Sequence, residues 1–125
     1  MTEFTVHMVN RPGQLAALAD RLSEAGSHIE ALAAFSLGDE SMVRLMANDV
    51  DTTRRVLTEA GVRFEEQRVV ETVIKDTPAA LASMTRRLAD SGVNIEAMDL
   101  LHANGDSLHF ALAVDDHESA IQVAG

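Results

Sequence analysis

An internal repeat is the sequence feature that most constrains the fold. The 21 residues PGQLAALADRLSEAGSHIEAL, from Pro12, align without a gap on PAALASMTRRLADSGVNIEAM, from Pro78, at an offset of 66. The alignment preserves a proline, an apolar stripe and a glycine together, and the identical pairs are Pro12/Pro78, Leu15/Leu81, Ala16/Ala82, Arg21/Arg87, Leu22/Leu88, Gly26/Gly92, Ile29/Ile95, Glu30/Glu96 and Ala31/Ala97. Because chance similarity between two amphipathic helices would not preserve all three features, a duplicated supersecondary unit is predicted.

Each copy has the hydrophobic pattern of a strand, a helix, two strands and a second helix. Apolar residues at every second position, such as Phe4, Val6 and Met8, predict a strand. Apolar residues spaced three and four apart predict a helix that ends at Gly26 in one copy and Gly92 in the other. The residues expected to be buried on these elements are Leu15, Leu18, Leu22, Ile29, Leu45, Leu81, Met84, Leu88, Ile95 and Phe110.

The two copies differ after their third strand. In the first, Asp51 is expected to cap a helix over Thr52–Ala60, and residues 62–67 then supply a fourth strand. In the second, a helix that starts at Asp116 is the last element. The predicted order is therefore βαββαβ followed by βαββα, an α+β fold of two modules in which the second lacks its last strand.

This organisation places the domains at residues 1–67 and 68–125. The strand over residues 69–75 then has no neighbour on one side, and unpaired apolar edges associate with other strands. A second chain is the favoured neighbour, which predicts a homodimer, and the alternative is that residues 62–67 fold back to close both sheets.

Charge and composition exclude several classes of function. The net charge is -10 and the pI about 4.7, which argues against a binder of nucleic-acid phosphates or of acidic membrane surfaces. No cysteine, tryptophan or tyrosine is present, and no apolar run approaches the roughly 18 residues of a membrane span. The N-terminus, MTEFTVHMVN, lacks the features of a signal peptide. We therefore expect a cytoplasmic protein without nucleic-acid or membrane partners.

Catalytic and metal-binding patterns are also absent. None of the five histidines forms a closely spaced pair, and His7 and His109 fall on outward strand faces, where histidine is usually solvated. There is no nucleophile elbow, phosphate loop or zinc motif. The chain is expected not to be an enzyme and to need no cofactor or metal.

The turn before the first helix has chemistry suited to a small zwitterion. A helix N-terminus presents unpaired N–H groups and a partial positive charge, which stabilise a carboxylate. Gly13 has no Cβ, so a ligand could approach the backbone closely. Asn10 offers both a donor and an acceptor to an amino group. The alternative is that Pro12 and Gly13 only make a tight turn and Asn10 only caps the helix.

The order strand, NRPGQL, helix, AGSHIEAL, strand, strand, helix resembles the ACT domain, a ferredoxin-like module that binds small ligands, most often amino acids. The second copy keeps Gly92-Val93-Asn94-Ile95-Glu96 but has Asp76-Thr77-Pro78-Ala79 at the turn. Asp76 and His28 stand where the family commonly has asparagine. The whole chain resembles small proteins made of two tandem ACT modules.

The resemblance implies a ligand at the interface of two modules, where the turn of one meets the start of strand two in the other. One site would then combine Asn10, Gly13 and Gln14 with Asn94 and Ile95, and the other would combine Asp76, Ala79 and Ala80 with His28 and Ile29. The full set of expected ligand-binding residues is Asn10, Arg11, Pro12, Gly13, Gln14, Leu15, His28, Ile29, Asp76, Ala79, Ala80, Asn94 and Ile95.

Two functions remain open from the sequence. The first is a sensor that binds an amino acid and regulates a partner enzyme or transporter, which the combination of Asn10, Gly13 and Asn94 favours. The second is a protein-interaction or assembly module with a vestigial ligand site, which the missing strand and Ala79 favour.

Overall fold

The computed structural model describes residues 1–125, which form two compact units, Thr2–Gln67 and Arg68–Gly125 with Met1. We call them the first and the second module. The elements of the first are β1 (Thr2–Val9), α1 (Gln14–Glu24), β2 (Ile29–Leu37), β3 (Glu40–Ala47), α2 (Val50–Ala60) and β4 (Arg63–Arg68). Those of the second are β5 (Val70–Lys75), α3 (Pro78–Asp90), β6 (Ile95–Asn104), β7 (Ser107–Val114) and α4 (His117–Ala124).

The strand orders confirm the predicted α+β fold of two ferredoxin-like modules. The first sheet has the order β2-β3-β1-β4, and the second has the order β5-β7-β6 and no fourth strand. The segment after α2 forms β4 at the edge of the first sheet, next to β1, so it does not close the second. No helix is both long and apolar enough to cross a membrane.

Each module buries its core between one face of its sheet and its two helices. In the first, Leu18 and Leu22 of α1 pack with Phe4 and Val6 of β1. In the second, Met84 and Leu88 of α3 occupy the equivalent positions, and these residues are almost fully buried. The predicted spacing of both helices is therefore confirmed. The core residues predicted and found buried are Leu18, Leu22, Leu45, Met84, Leu88 and Phe110.

The prediction was wrong for Leu15 and Leu81, which are 40% and 37% exposed. Both lie near the N-terminal end of their helix, three residues before its first buried residue. Ile29 and Ile95 are only partly buried, at the edges of the two cores.

The cap of α2 also differs from the prediction. Asp49, not Asp51, is the N-cap, and its carboxylate accepts hydrogen bonds from the amide and the hydroxyl of Thr52. These bonds hold the pKa of Asp49 below its ordinary value. The second module repeats this cap with Asp116 and Ser119, as the predicted helix start at Asp116 requires.

Candidate ligand-binding turns

The turn after β1 is held against the turn that joins β2 and β3. The backbone amide of Asn10 donates to the Asp39 carbonyl at 2.8 Å. Its side-chain amide donates to the Gly38 carbonyl at 3.0 Å. The Asn10 side-chain oxygen makes no hydrogen bond within the chain, so it is free to accept one from a ligand.

The helix that follows this turn leaves its first amides unpaired. Gly13 is the N-cap, with a φ of 88° that favours glycine and no side chain that could cap the helix. The first helical hydrogen bond runs from Ala17 to the Gly13 carbonyl at 3.0 Å. The amides of Leu15 and Ala16 therefore have no acceptor in the chain, which is the arrangement that attracts a carboxylate.

In the second module, a side chain of the corresponding turn already caps the helix. Here α3 begins at Pro78, the equivalent of Pro12, so it starts two residues earlier in the repeat than α1 does. Thr77 is the N-cap and accepts a hydrogen bond from the Ala80 amide at 3.1 Å. Pro78 has no N–H to offer. Of the amides in this first turn, only that of Ala79 stays open to a ligand.

The residue just before β2 and the residue just before β6 each donate a backbone hydrogen bond to a side chain that follows the neighbouring strand. The amide of His28 donates to the Asn48 side-chain oxygen at 2.9 Å. The amide of Asn94 donates to the Asp115 carboxylate at 2.8 Å. The side chains of His28 and Asn94 are exposed and take no part in these bonds, so both remain available for other contacts.

Within a module, the turn and the start of strand two lie at opposite ends of the sheet. In the first module Val9 pairs with Glu40, whereas Ile29 pairs with Ala47 at the far end of β3. Seven residues of strand separate these ends, or about 23 Å. The second module has the same arrangement. A small ligand therefore cannot contact both features of one module at the same time.

Most of the predicted ligand-binding residues are accessible. The side chains of Ile29, Ile95, Gln14 and Ala80 are partly buried, and the others are exposed, namely Asn10, Arg11, Pro12, Gly13, Leu15, His28, Asp76, Ala79 and Asn94. The exposure of Leu15 matters here, because an aliphatic side chain beside two open amides can contact the apolar part of a ligand.

A shallow groove of about 370 Å³ adjoins the first turn, and its lining includes His7, Val9 and Glu40. The two ring nitrogens of His7 lie 2.7 Å from carboxylate oxygens of Glu40 and Glu65. His7 was expected to be solvated, but its side chain is only 13% exposed. Sequence alone could not identify this cluster, because its members come from three different strands.

One ion pair is buried in the first module. The Glu3 side chain is fully buried, and its carboxylate accepts hydrogen bonds from Arg44 and from Gln67, the latter at 3.1 Å. The three side chains join β1, β3 and β4 across the outward face of the sheet. Glu3 lies four residues along β1 from His7, away from the Asn10 turn.

Several solved structures share this fold. A protein from Bacteroides thetaiotaomicron superposes with a TM-score of 0.88 at 22% identity, covering 98% of this chain and 84% of that one. The regulatory subunit of aspartate kinase from Thermus thermophilus gives 0.69 at 17%, covering 98% and 89%. That from Thermus flavus gives 0.64 at 18%, covering 98% and 88%. The resemblance to tandem ACT modules is thereby confirmed for the fold.

No protein-family model matches the sequence, and no curated protein matches it.

Proposed function

We propose that this protein is a regulatory, ligand-binding module that takes up an amino acid at the turn before α1 and passes the signal to a partner enzyme. The observation that carries this proposal is the pair of open amides, those of Leu15 and Ala16, beside the free side-chain oxygen of Asn10. The amides suit a carboxylate, and the oxygen suits an ammonium group. An α-amino acid carries both.

The second turn is proposed as the weaker site. Thr77 already caps the Ala80 amide, and Ala79 adds a methyl group at the position equivalent to Gly13. Asp76 replaces a neutral amide with an acidic side chain, which disfavours a carboxylate nearby. We therefore expect the first turn to bind the amino acid more tightly than the turn formed by Asp76, Ala79 and Ala80.

The ligand site is proposed to be composite. Because the turn and the start of strand two lie at opposite ends of each sheet, Asn94 and Ile95 of another module would complete the site begun by Asn10 and Gly13. His28 and Ile29 would do the same for the second turn. The other module could belong to the same chain or to a second copy.

The kind of partner is suggested by the fold. Two of the solved structures that share the fold are named as regulatory subunits of aspartate kinase. By analogy, we propose that this chain regulates an enzyme, and that the amino acid reports the supply of a metabolite to it. The analogy extends to the role of the protein and not to the identity of the enzyme.

A thermal-shift screen against the twenty amino acids tests the proposal, because a ligand that binds only the folded state raises the melting temperature. The best ligand is then titrated into the Gly13→Asn variant by calorimetry. Asparagine tolerates a positive φ, and a Cβ at position 13 meets no atom within 4 Å. The new side chain therefore enters the space beside the open amides, and we expect affinity to fall at least tenfold.

Gly26→Asn is the matched control. Gly26 has a φ of 76°, also has open space around a new Cβ, and lies after the other end of α1. It should leave affinity unchanged. Equal affinities in the two variants would place the ligand elsewhere. The absence of any amino acid that raises the melting temperature would favour the second candidate function, an assembly module with a vestigial site.

A further inference from the structure

The open edge of the second sheet carries two opposite charges, one on each side of an apolar residue. β5 pairs with β7 and has no strand on its other side. Glu71, Val73 and Lys75 alternate along β5, and all three are exposed. On β7, Glu71 is opposite Ala111 and Lys75 is opposite Ser107, and neither charged side chain forms an ion pair within the chain. Both charges are therefore available to a strand that joins this edge.

The helix above this edge exposes an apolar side chain. Of the strands in its sheet, β5 is the one on which α4 mainly packs. The α4 residues Gln122 and Val123 line the groove shared with α3, and Ile121, which is 49% exposed, falls on the other flank of the helix. A second copy that continues the sheet with its helices on the same face brings its own Ile121 flank towards this one. That arrangement buries more apolar surface than one with the helices on opposite faces.

The two faces of β5 limit how the strands of two copies can align. Val70 and Thr72 are buried on the face that the helices cover, whereas Glu71, Val73 and Lys75 lie on the other face. An alignment that opposes a core position to an outward position puts the helices of the two copies on opposite faces of the joint sheet. With both helix layers on one face, the three outward residues are therefore opposed only to outward positions of the partner.

Within that limit, the charges favour one antiparallel register. When Val73 is opposite the partner's Val73, Glu71 is opposite the partner's Lys75, and Lys75 is opposite the partner's Glu71. The next registers in either direction oppose a charge to Val73 instead, and an in-register parallel alignment brings each charge beside its own copy. Cross-strand pairs of opposite charge stabilise a sheet, and like charges directly opposite each other destabilise it.

We propose that β5 pairs antiparallel with β5 of a second copy, with Val73 opposite the partner's Val73 and an ion pair between Glu71 and the partner's Lys75 on each side. The two three-stranded sheets then form one sheet of six strands, related by a two-fold axis through Val73. The missing strand predicts only that another chain covers this edge. The charges of Glu71 and Lys75 add the specificity, because they oppose slipped and parallel pairing, as charges on edge strands commonly do.

Sedimentation velocity of the full chain at micromolar concentrations tests the proposal with two charge reversals. Glu71→Lys and Lys75→Glu each place like charges opposite each other twice in the dimer, so the dimer dissociation constant should rise at least about fivefold in each. An equimolar mixture of the two variants should form a heterodimer about as tight as the unmodified dimer, because the lysines of one chain oppose the glutamates of the other. The double variant Glu71→Lys/Lys75→Glu should dimerise with itself.

The controls separate this pairing from general charge repulsion. Glu71→Lys makes the protein less acidic and Lys75→Glu makes it more acidic, so general repulsion predicts opposite effects and the ion pairs predict the same effect. Glu24→Lys and Arg21→Glu, on exposed positions of α1, carry the same charge changes and should leave the dissociation constant unchanged. Circular dichroism and the melting temperature establish that the variants are folded.

Three results would overturn the proposal. They are an unmodified protein that stays monomeric, opposite effects of the two charge reversals, and a mixture that associates no more tightly than either variant alone. Recovery of the dimer in the mixture cannot come from misfolding, since each variant dissociates by itself. None of these outcomes depends on amino-acid binding at the first turn.

Discussion

The side-chain amide of Asn10 donates a hydrogen bond to the Gly38 carbonyl, and the second module has no equivalent of this contact. There, Asp76 holds its turn through the backbone alone, by a bond from its amide to the Asp106 carbonyl at 2.7 Å. A carboxylate cannot donate, so the aspartate cannot replace the asparagine. The first turn is therefore held against the neighbouring hairpin turn by two hydrogen bonds and the second by one.

Asn10→Ala should lower the free energy of unfolding by about 1 kcal/mol, the typical net contribution of one hydrogen bond. It should also weaken amino-acid binding, because the ligand's ammonium group loses its acceptor. Asp76→Ala removes no side-chain hydrogen bond and should change stability by less than about 0.5 kcal/mol. Urea denaturation of both variants measures the difference, and a larger effect for Asp76→Ala would contradict this interpretation of the turns.

Thr77→Ala separates helix capping from ligand binding. Loss of the cap on the Ala80 amide should lower the free energy of unfolding by about 1 kcal/mol. The affinity for an amino acid should stay the same if the carboxylate binds at the open amides of α1. Calorimetry beside thermal denaturation measures both quantities. A Thr77→Ala variant that loses affinity would assign the stronger site to the second turn.

The repeat and the core positions could be predicted because they depend on local periodicity. Leu18, Leu22, Met84 and Leu88 carry the helical spacing and are buried. The different starts of α1 and α3 could be anticipated only in part. Proline is compatible with the first helical turn in both copies, but Gly13 and Ala79 differ in whether the backbone adopts a positive φ there.

Contacts between strands that are distant in sequence could not be predicted. The cluster around His7 needs the register of β1 against β3 and the position of β4. The stacking of His102 on His109 needs a bulge that adds one residue to β6. In a regular ladder Leu101 would be opposite His109. No residue near the bulge is of a type that predicts a register shift. Period-two patterns predict faces, but they do not predict where a register shifts.

Removing one partner of the buried ion pair of Glu3 and Arg44 should destabilise the fold more than replacing both residues with apolar ones. Glu3→Gln leaves the partly buried Arg44 without its carboxylate and should lower the free energy of unfolding by about 3 kcal/mol. The double variant Glu3→Leu/Arg44→Met removes both charges and should recover much of that loss. Urea denaturation of the single and double variants gives the coupling. Equal stabilities of Glu3→Gln and the unmodified protein would contradict the prediction.

Because of the exposed ion pair of Arg54 and Glu66, the free energy of unfolding should fall at low pH. Arg54 donates to both carboxylate oxygens, at 2.6 and 2.7 Å, and this lowers the pKa of Glu66 below its ordinary value of 4.5. Because the pKa is lower in the folded state, the stabilisation is complete above about pH 4.5. It is lost as the pH falls through the folded-state pKa.

The difference in urea midpoint between the unmodified protein and Glu66→Gln should therefore be largest near neutral pH and vanish in strong acid. Glu59→Gln, on the exposed side of α2 and without an ion pair, is the control and should show no such dependence. A difference that persists unchanged at low pH would mean that Glu66 acts through packing and not through its charge.

The edge of the second sheet leads to the last prediction, which concerns assembly. β5 has a neighbour only in β7, because the chain's other candidate strand, β4, pairs with β1. The Val73 side chain on this edge strand is 57% exposed. Edges of this kind pair with other chains unless a charge blocks them, so we expect a homodimer that light scattering detects at micromolar concentration. Val73→Lys should shift the equilibrium towards monomer without unfolding the protein.

Val9→Lys, at a side chain that is 51% exposed at the end of β1 in the first module, introduces the same charge on a different strand and should leave the dimer intact. If both variants dissociate equally, the added charge acts through general repulsion and β5 is not the interface. A protein that stays monomeric as its concentration rises would contradict dimerisation itself. Slow hydrogen exchange at residues 70–75 in that monomer would then indicate that the edge is protected from within the chain.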